Sequence, residues 1–379
     1  MSAQPRIAII GGGVIGAATA CLLAREHGIA ATVLERDPSY AKASSALSAS
    51  SIRQQFSCPI NIELSRAGFE YLRAIAVEVG LVERGYLYLA GSAGRAVLEA
   101  NHLVQRAQGV EVALLDAAAL QRRFPWLCVE GVELASLGLA GEGWFDGWSL
   151  LQHFRRGAIA GGARFVHAEA AQVVAAAGRT AGVRTTDGML HGADAVLVAA
   201  GAWSAPLVAP LGIELPVRAR KRDVFVLDSP AHLPGCPLVI DTSGTWFRPE
   251  GRGFIAGAAP RGEETDEAPL DAIDHGLFDE VIWPALAARV PGFEALRATA
   301  AWAGYYEMNT VDHNALVGPL AAQPGLFAAC GFSGHGMQHA PAVGRAIASL
   351  LATGSWGEID LAPLSPGRRK PLLERNVIG

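Results

Sequence analysis

The chain has 379 residues, 51% hydrophobic and 18% charged, with a net charge of −5. That length holds two or three compact units, and mixed charge without long basic runs excludes nucleic acid as a partner. Five scattered cysteines without a C-x-x-C spacing exclude a disulfide framework and a metal site, and fit a reducing compartment. The first apolar strand starts within about six residues, leaving no room for a signal peptide, and no apolar run approaches the ~20 residues of a membrane span. The expectation is a cytoplasmic protein with no membrane span.

The opening stretch organises the rest. Ile7 to Ile10 read as a short buried strand, Gly11, Gly13 and Gly16 form G-x-G-x-x-G, and Ala17 to Arg25 read as a helix. Gly11 permits the tight turn, Gly13 the approach of a pyrophosphate, and Gly16 close packing of helix on strand. The phosphates belong on the N–H groups of the first helical turn, at Val14 and Ile15, where the helix dipole favours negative charge. A second strand, Ala31 to Leu34, ends at Glu35, 19 residues beyond Gly16. Its carboxylate can take both hydroxyls of an adenosine ribose and would repel a 2′-phosphate, which disfavours NADP. FAD and NAD remain.

Ser39 to Gln55 is a small and polar loop, placed to lay hydroxyls and Arg53 along a cofactor. Asn61 to Val79 reads as an amphipathic helix, Gly85 to Ala90 as a strand, Gly94 to Gln108 as a helix, and Asp116 to Phe124 as a short helix stopped by Pro125. Gly141 to Trp148 is an aromatic linker, and Ser149 is a candidate cap for a helix to about Ala160. β runs follow at Arg164 to His167, Ala171 to Ala175 and Gly182 to Thr185. The apolar strand within Ala193 to Ser204 then meets a small-residue turn. NAD enzymes place a second nucleotide-binding half directly after the first. Here the next buried parallel-type strand is about 160 residues away, which favours a flavoprotein with an interrupted nucleotide domain. Val217 to Gly257 carries strands of an antiparallel sheet and so a separate lobe. Leu270 to Val290 reads as a helix bent or divided at Pro284. A strand at Leu326 to Cys330, the loop Gly331-Phe-Ser-Gly-His-Gly-Met337 and a last helix to about Leu351 complete the chain.

That loop, the opening motif and Val198-Ala-Ala-Gly-Ala-Trp203 together resemble the D-amino-acid oxidase family of flavoenzymes, which includes glycine oxidase and monomeric sarcosine oxidase. The resemblance runs essentially end to end. Ser51-Ile-Arg-Gln-Gln-Phe56, Gly143-Trp-Phe-Asp-Gly-Trp-Ser149, Arg220-Lys-Arg222, Tyr306-Glu-Met-Asn-Thr-Val-Asp-His313 and Pro371-Leu-Leu-Glu-Arg375 look closer still to FAD-dependent oxidoreductase-domain proteins, whose mitochondrial relatives are tied to complex I assembly. The implied fold is α/β (α+β), a Rossmann-like FAD-binding domain interleaved with an antiparallel-sheet substrate domain. The expected FAD-binding domain comprises residues 1–84, 149–215 and 301–379, and the substrate domain 85–148 and 216–300. The resemblance implies one FAD, with Arg36 beside Glu35, and Ser44, Ser45, Ser51, Ile52 and Arg53 beside the phosphates and flavin. Val173 would contact the adenine through its backbone, with Ala200, Gly201 and Trp203 lining the cofactor. Gly334, His335, Gly336, Met337 and Gln338 would lie against the isoalloxazine.

Departures from the family are informative. Tyr305 falls where sarcosine oxidase carries the cysteine bonded to its flavin, so the FAD should be non-covalent. Tyr306 replaces the arginine that grips substrate carboxylate in glycine oxidase. Ile255 falls near the lysine that assists oxygen reduction in sarcosine oxidase, and the three lysines here are Lys42, Lys221 and Lys370. The expected reaction is oxidation of the C–N bond of a small amino acid or secondary amine by hydride transfer to flavin N5. A dehydrogenase passing electrons to a quinone or protein acceptor is favoured over an oxidase, with Arg53 or charged His335 able to stand in for the missing lysine. Candidates at the reacting centre are His335 and Tyr306, with Arg53, Arg222 or Arg248 for a carboxylate and Tyr305 and Trp246 for the wall. Two rivals are a 2-hydroxy-acid dehydrogenase using His313 or His335 as base, and a flavin-containing assembly or binding factor.

Overall fold

The computed structural model describes residues 5–375, so the ends of the expected FAD-binding domain, 1–4 and 376–379, lie outside the described residues. The chain opens with β1 (Ile7–Ile10), α1 (Val14–His27) and β2 (Thr32–Glu35), followed by α2 (Pro59–Ala74). Next come β3 (Tyr86–Ala90), α3 (Ser92–Ala107), β4 (Val112–Leu115), β5 (Leu134–Gly138), α4 (Gly147–Ala160), β6 (Arg164–His167) and β7 (Ala195–Val198). The second half carries β8 (Val217–Asp228), β9 (Leu238–Ile240), β10 (Trp246–Glu250), β11 (Gly253–Gly257), β12 (Arg297–Asn309), β13 (Leu316–Pro319), β14 (Leu326–Cys330) and α5 (Gly336–Thr353).

Two large sheets result. The first has the order β13-β14-β7-β1-β2-β6, parallel except at its β13 edge. Residues of α1 from Val14 to Leu23 are all buried, because α1 lies among β1, α4 and α5. Small residues set that spacing: a Cβ at Gly344 of α5 would lie 2.8 Å from the Ala18 Cβ. Leu22 is fully enclosed, so Leu22→Ala would cost about 2–5 kcal/mol.

The second sheet has the order β12-β8-β11-β10-β9-β3-β5-β4 and is mainly antiparallel, with β9 pairing parallel to β3. Its core holds Phe225, Phe247, Phe254 and Phe293, and Arg289 and Asp241 form an almost fully buried pair at 2.5 Å. Arg289 also donates to the Cys128 and Glu130 carbonyls, at 2.6 and 3.0 Å.

Several sequence expectations shift. The boundary placed at residue 301 cuts β12, which pairs with β8 from Arg297 to Asn309 and so belongs to the second sheet. Asp146, rather than Ser149, caps α4, its carboxylate accepting the Ser149 N–H at 3.0 Å. The helix expected from Leu270 starts at His275 and runs on to Arg289, with a π-helical turn at Phe278–Ile282 just before Pro284 loosening the helix where the proline lacks an N–H. α2 runs Pro59–Ala74 rather than from Asn61 to Val79.

Candidate functional site

One cleft of about 1510 Å³ opens between the two sheets, roomier than the ~300–1,000 Å³ of an ordinary ligand site. Its nucleotide end is the turn after β1. Gly11, at φ 99°, approaches β7 so closely that a Cβ would lie 2.4 Å from the Ala199 carbonyl. A Cβ at Gly16 would lie 2.0 Å from the Gly11 carbonyl, so Gly16 packs helix on turn and does not reach the cleft, while Gly11, Gly13, Val14 and Ile15 line it. Ser45 closes the helix end by accepting the Val14 N–H at 3.0 Å. Glu35 stands at the lip. Its two oxygens accept the Gly12 and Asp37 N–H groups, each at 2.8 Å, which leaves further lone pairs for ribose hydroxyls. Arg36 lies over the Trp203 ring at 4.0 Å, giving the cleft a flat cationic wall beside Ala200 and Gly201.

The middle of the cleft is lined by Ser44, Ser51, Gly334, Gly336 and Met337. Ser44 donates to the Tyr305 carbonyl at 2.6 Å, tying the early loop to β12. The far end is aromatic. Tyr305 packs edge-on against Trp203 at 5.8 Å and its hydroxyl donates to the Ala268 carbonyl at 2.8 Å, holding the 267–273 segment. Tyr306 is 39% exposed, with the Arg222 guanidinium 5.1 Å from its ring centre. Arg222 is paired with Glu264 through two bonds of 2.7 and 3.1 Å. Trp246 and Trp302 also line this end.

Other expected residues face elsewhere. Arg53 covers the Phe56 ring at 3.8 Å, donates to the Gln55 carbonyl at 2.8 Å, and places a guanidinium nitrogen 3.3 Å from His335 Nε2. The His335 imidazole therefore packs among Arg53, Phe56 and His339 rather than lining the cleft. Burial, then the Arg53 charge, push its pKa well below the ordinary histidine value, so it is neutral and cannot replace a missing lysine charge. Gln338 is buried and accepts the Arg53 N–H at 2.8 Å, and Ile52 is core. Val173 is buried in the core beneath the first sheet, while Ala168 to Ala171 line the cleft instead. Arg248 is buried and donates to the Ala49 carbonyl at 2.8 Å, so it props the loop rather than meeting substrate. Ile255 is buried in β11 outside the cleft, whereas Lys42 lines it. No histidine or cysteine is among the cleft-lining residues described.

Sequence reasoning missed Glu307. It lines the cleft, accepts the Gly331 N–H at 3.0 Å, and has its carboxyl pKa pushed up to about 8 by burial. An acid in a strand of tyrosines gives no pattern of its own; only its place beside Tyr305 and Tyr306 on β12 marks it.

A nucleotide turn on a parallel sheet, opening into an aromatic chamber under a second sheet, defines a flavin-dependent oxidoreductase. The family model described as FAD dependent oxidoreductase matches residues 6–350, and the chain belongs to that D-amino-acid oxidase family, with FAD as its cofactor. The chain is 41% identical to FAD-dependent oxidoreductase domain-containing protein 1 of Xenopus laevis, over 98% of this chain and 84% of that protein. In structure it is similar to L-proline dehydrogenase from P. horikoshii, with a TM-score of 0.85, 25% identity and coverage of 97% and 98%. Glycine oxidase from Geobacillus kaustophilus gives 0.83, 26%, 97% and 99%. Glycine turn, ribose acid, cationic wall and volume all fit FAD. Among the described residues no helix is long and apolar enough to cross a membrane.

Proposed function

We propose that the protein oxidises the C–N bond of a small amino acid or secondary amine, as a dehydrogenase rather than an oxidase. The observation that carries this reading is the aromatic chamber continuous with the nucleotide end, bearing Tyr306 and Arg222 together. When bound, FAD supplies the hydride acceptor. The protein then has to align the substrate and exclude water, which is enough if the amine arrives neutral. Tyr305, Tyr306, Trp246 and Trp302 supply walls that shed water. Arg222 is the cleft-lining guanidinium of the three candidates, and its planar fork suits a carboxylate in two-point contact. Its bond to Glu264 means that a substrate carboxylate competes for it, which makes affinity adjustable without moving the strand.

The rival that needs a histidine base finds neither His313 nor His335 lining the cleft. Of the three lysines Lys42 alone lines the cleft, on the early loop rather than on the strands of the aromatic end, which supports a quinone or protein electron acceptor. The discriminating experiment is an anaerobic screen of amino acids, secondary amines and 2-hydroxy acids, following loss of flavin absorbance. Bleaching by amines with Arg222-dependent affinity is expected. Bleaching by hydroxy acids alone, or by nothing, would overturn the reading.

A further inference from the structure

Glu307 has no part in the chemistry described so far, yet it occupies a distinctive place. It follows Tyr305 and Tyr306 on β12 and lines the cleft together with Gly201 and Gly336. One oxygen accepts the Gly331 N–H at 3.0 Å. A Cβ at Gly201 would lie 3.9 Å from that same oxygen, and a Cβ at Gly336 would lie 3.5 Å from the other. The carboxyl is therefore wedged between the turn after β7 and the first residue of α5, and both glycines line the cleft. Its backbone carbonyl accepts the Ser333 N–H at 3.1 Å, which fastens this point of β12 to the loop before α5.

No cation neutralises it among the described residues. Arg218 and Arg220, which flank its partner Ala219 on β8, are drawn to Asp266 at 3.5 and 3.3 Å. His335 on the loop is held neutral, and burial raises the pKa of the Tyr305 hydroxyl and of the Cys330 thiol. The Gly331 and Phe332 N–H groups favour the carboxylate, but burial without a cation outweighs them and raises its pKa.

We propose that Glu307 is a neutral carboxylic acid that donates a hydrogen bond to the bound FAD, rests on the cofactor assignment above, and makes the flavin easier to reduce. Reduction adds negative charge to the ring system, and a fixed neutral donor stabilises that charge where a carboxylate would repel it. Glu307 would then ionise near pH 8 and withdraw this support.

The test is the flavin midpoint potential of the holoenzyme, measured by dye equilibration from pH 6 to 9.5 in the wild type, Glu307→Gln and Glu307→Ala. The wild type should show an extra downward break near pH 8. Glu307→Gln, which keeps a donor that cannot ionise, should match the wild type at pH 6–7 and lack the break. Glu307→Ala should lie below both at pH 6–7, and FAD titration of its apoprotein should give about tenfold weaker binding. Superimposed wild-type and Glu307→Gln profiles would overturn the proposal, as would a Glu307→Ala protein with unchanged potential and affinity. Circular dichroism of each variant separates these results from misfolding. The dyes need no substrate, so a flavin that no amine reduces defeats the substrate reading while leaving this one standing.

Discussion

Replacing Glu35 by alanine should weaken FAD binding by about 10- to 100-fold. Hydrogen bonds to a charged group are worth about 1.5–3 kcal/mol each, and a ribose offers two hydroxyls. The full sum is not expected, because each Glu35 oxygen already accepts one N–H, from Gly12 and from Asp37, and the residue is half-exposed. A total of about 1.5–3 kcal/mol is the better figure, which converts to that range at 1.4 kcal/mol per decade. The same substitution frees the Gly12 and Asp37 N–H groups, so the apoprotein should also lose some thermal stability. The two effects separate experimentally: apoprotein titrated with FAD, read by flavin fluorescence quenching, reports affinity, and melting without FAD reports the loop. Glu35→Gln, with one oxygen left, should fall between wild type and alanine. A Kd within twofold of wild type for Glu35→Ala would refute the placement of the ribose at this carboxylate.

Other outcomes follow from the same geometry. Arg222→Leu should raise KM for an amino-acid substrate about 10-fold or more with a smaller change in kcat, whereas Glu264→Gln should lower KM; steady-state kinetics on both variants decide it. Arg289→Ala removes one partner of a buried pair and should cost about 3–5 kcal/mol of stability, read by urea denaturation. Acid precipitation should release intact FAD into the supernatant, since Tyr305 stands where a covalent attachment would need cysteine and no described cysteine lines the cleft; flavin left in the pellet would contradict this. Stopped-flow reoxidation of photoreduced enzyme should be faster with a soluble quinone than with O₂. For Glu307 the folded pKa lies above the ordinary 4.5, so the folded state holds more protons between pH 4.5 and 8. Its contribution to apoprotein stability therefore declines as pH rises through that window, and the wild type should lose stability relative to Glu307→Gln as pH rises.

The nucleotide half was readable because its chemistry is local. Gly11, Gly13, Gly16 and Glu35 declare themselves by spacing within one βαβ unit, and the strand, turn and helix lie where that spacing puts them. The far end of the cleft was only partly readable. Tyr305, Tyr306 and Arg222 were named from the sequence, but Arg53, His335 and Arg248 were named with them and turn elsewhere. Side-chain direction there depends on long-range partners: Arg53 lies against His335 and Arg248 reaches Ala49. No local pattern carries that information. Glu307 escaped for the same reason, since the turns at Gly201, Gly331 and Gly336 beside its carboxyl are far from it in sequence.

The continuity of β12 has a consequence for how substrate gets in. A single strand pairs with β8 along its whole length and is also fastened to the early loop through Ser44, and to the turn before α5 through Ser333 and a bridge from Met308 to Phe332. Moving the early loop or the turn before α5 away from β12 would break the Ser44, Ser333 and Met308–Phe332 links together, so a clam-shell opening is not expected. The expected way in that leaves them intact is past the 267–273 segment, which is held by the Tyr305 hydroxyl on the Ala268 carbonyl and by the Glu267 N–H on the Ala219 carbonyl. On that expectation Tyr305, which forms part of the wall, also serves as the latch of the 267–273 segment.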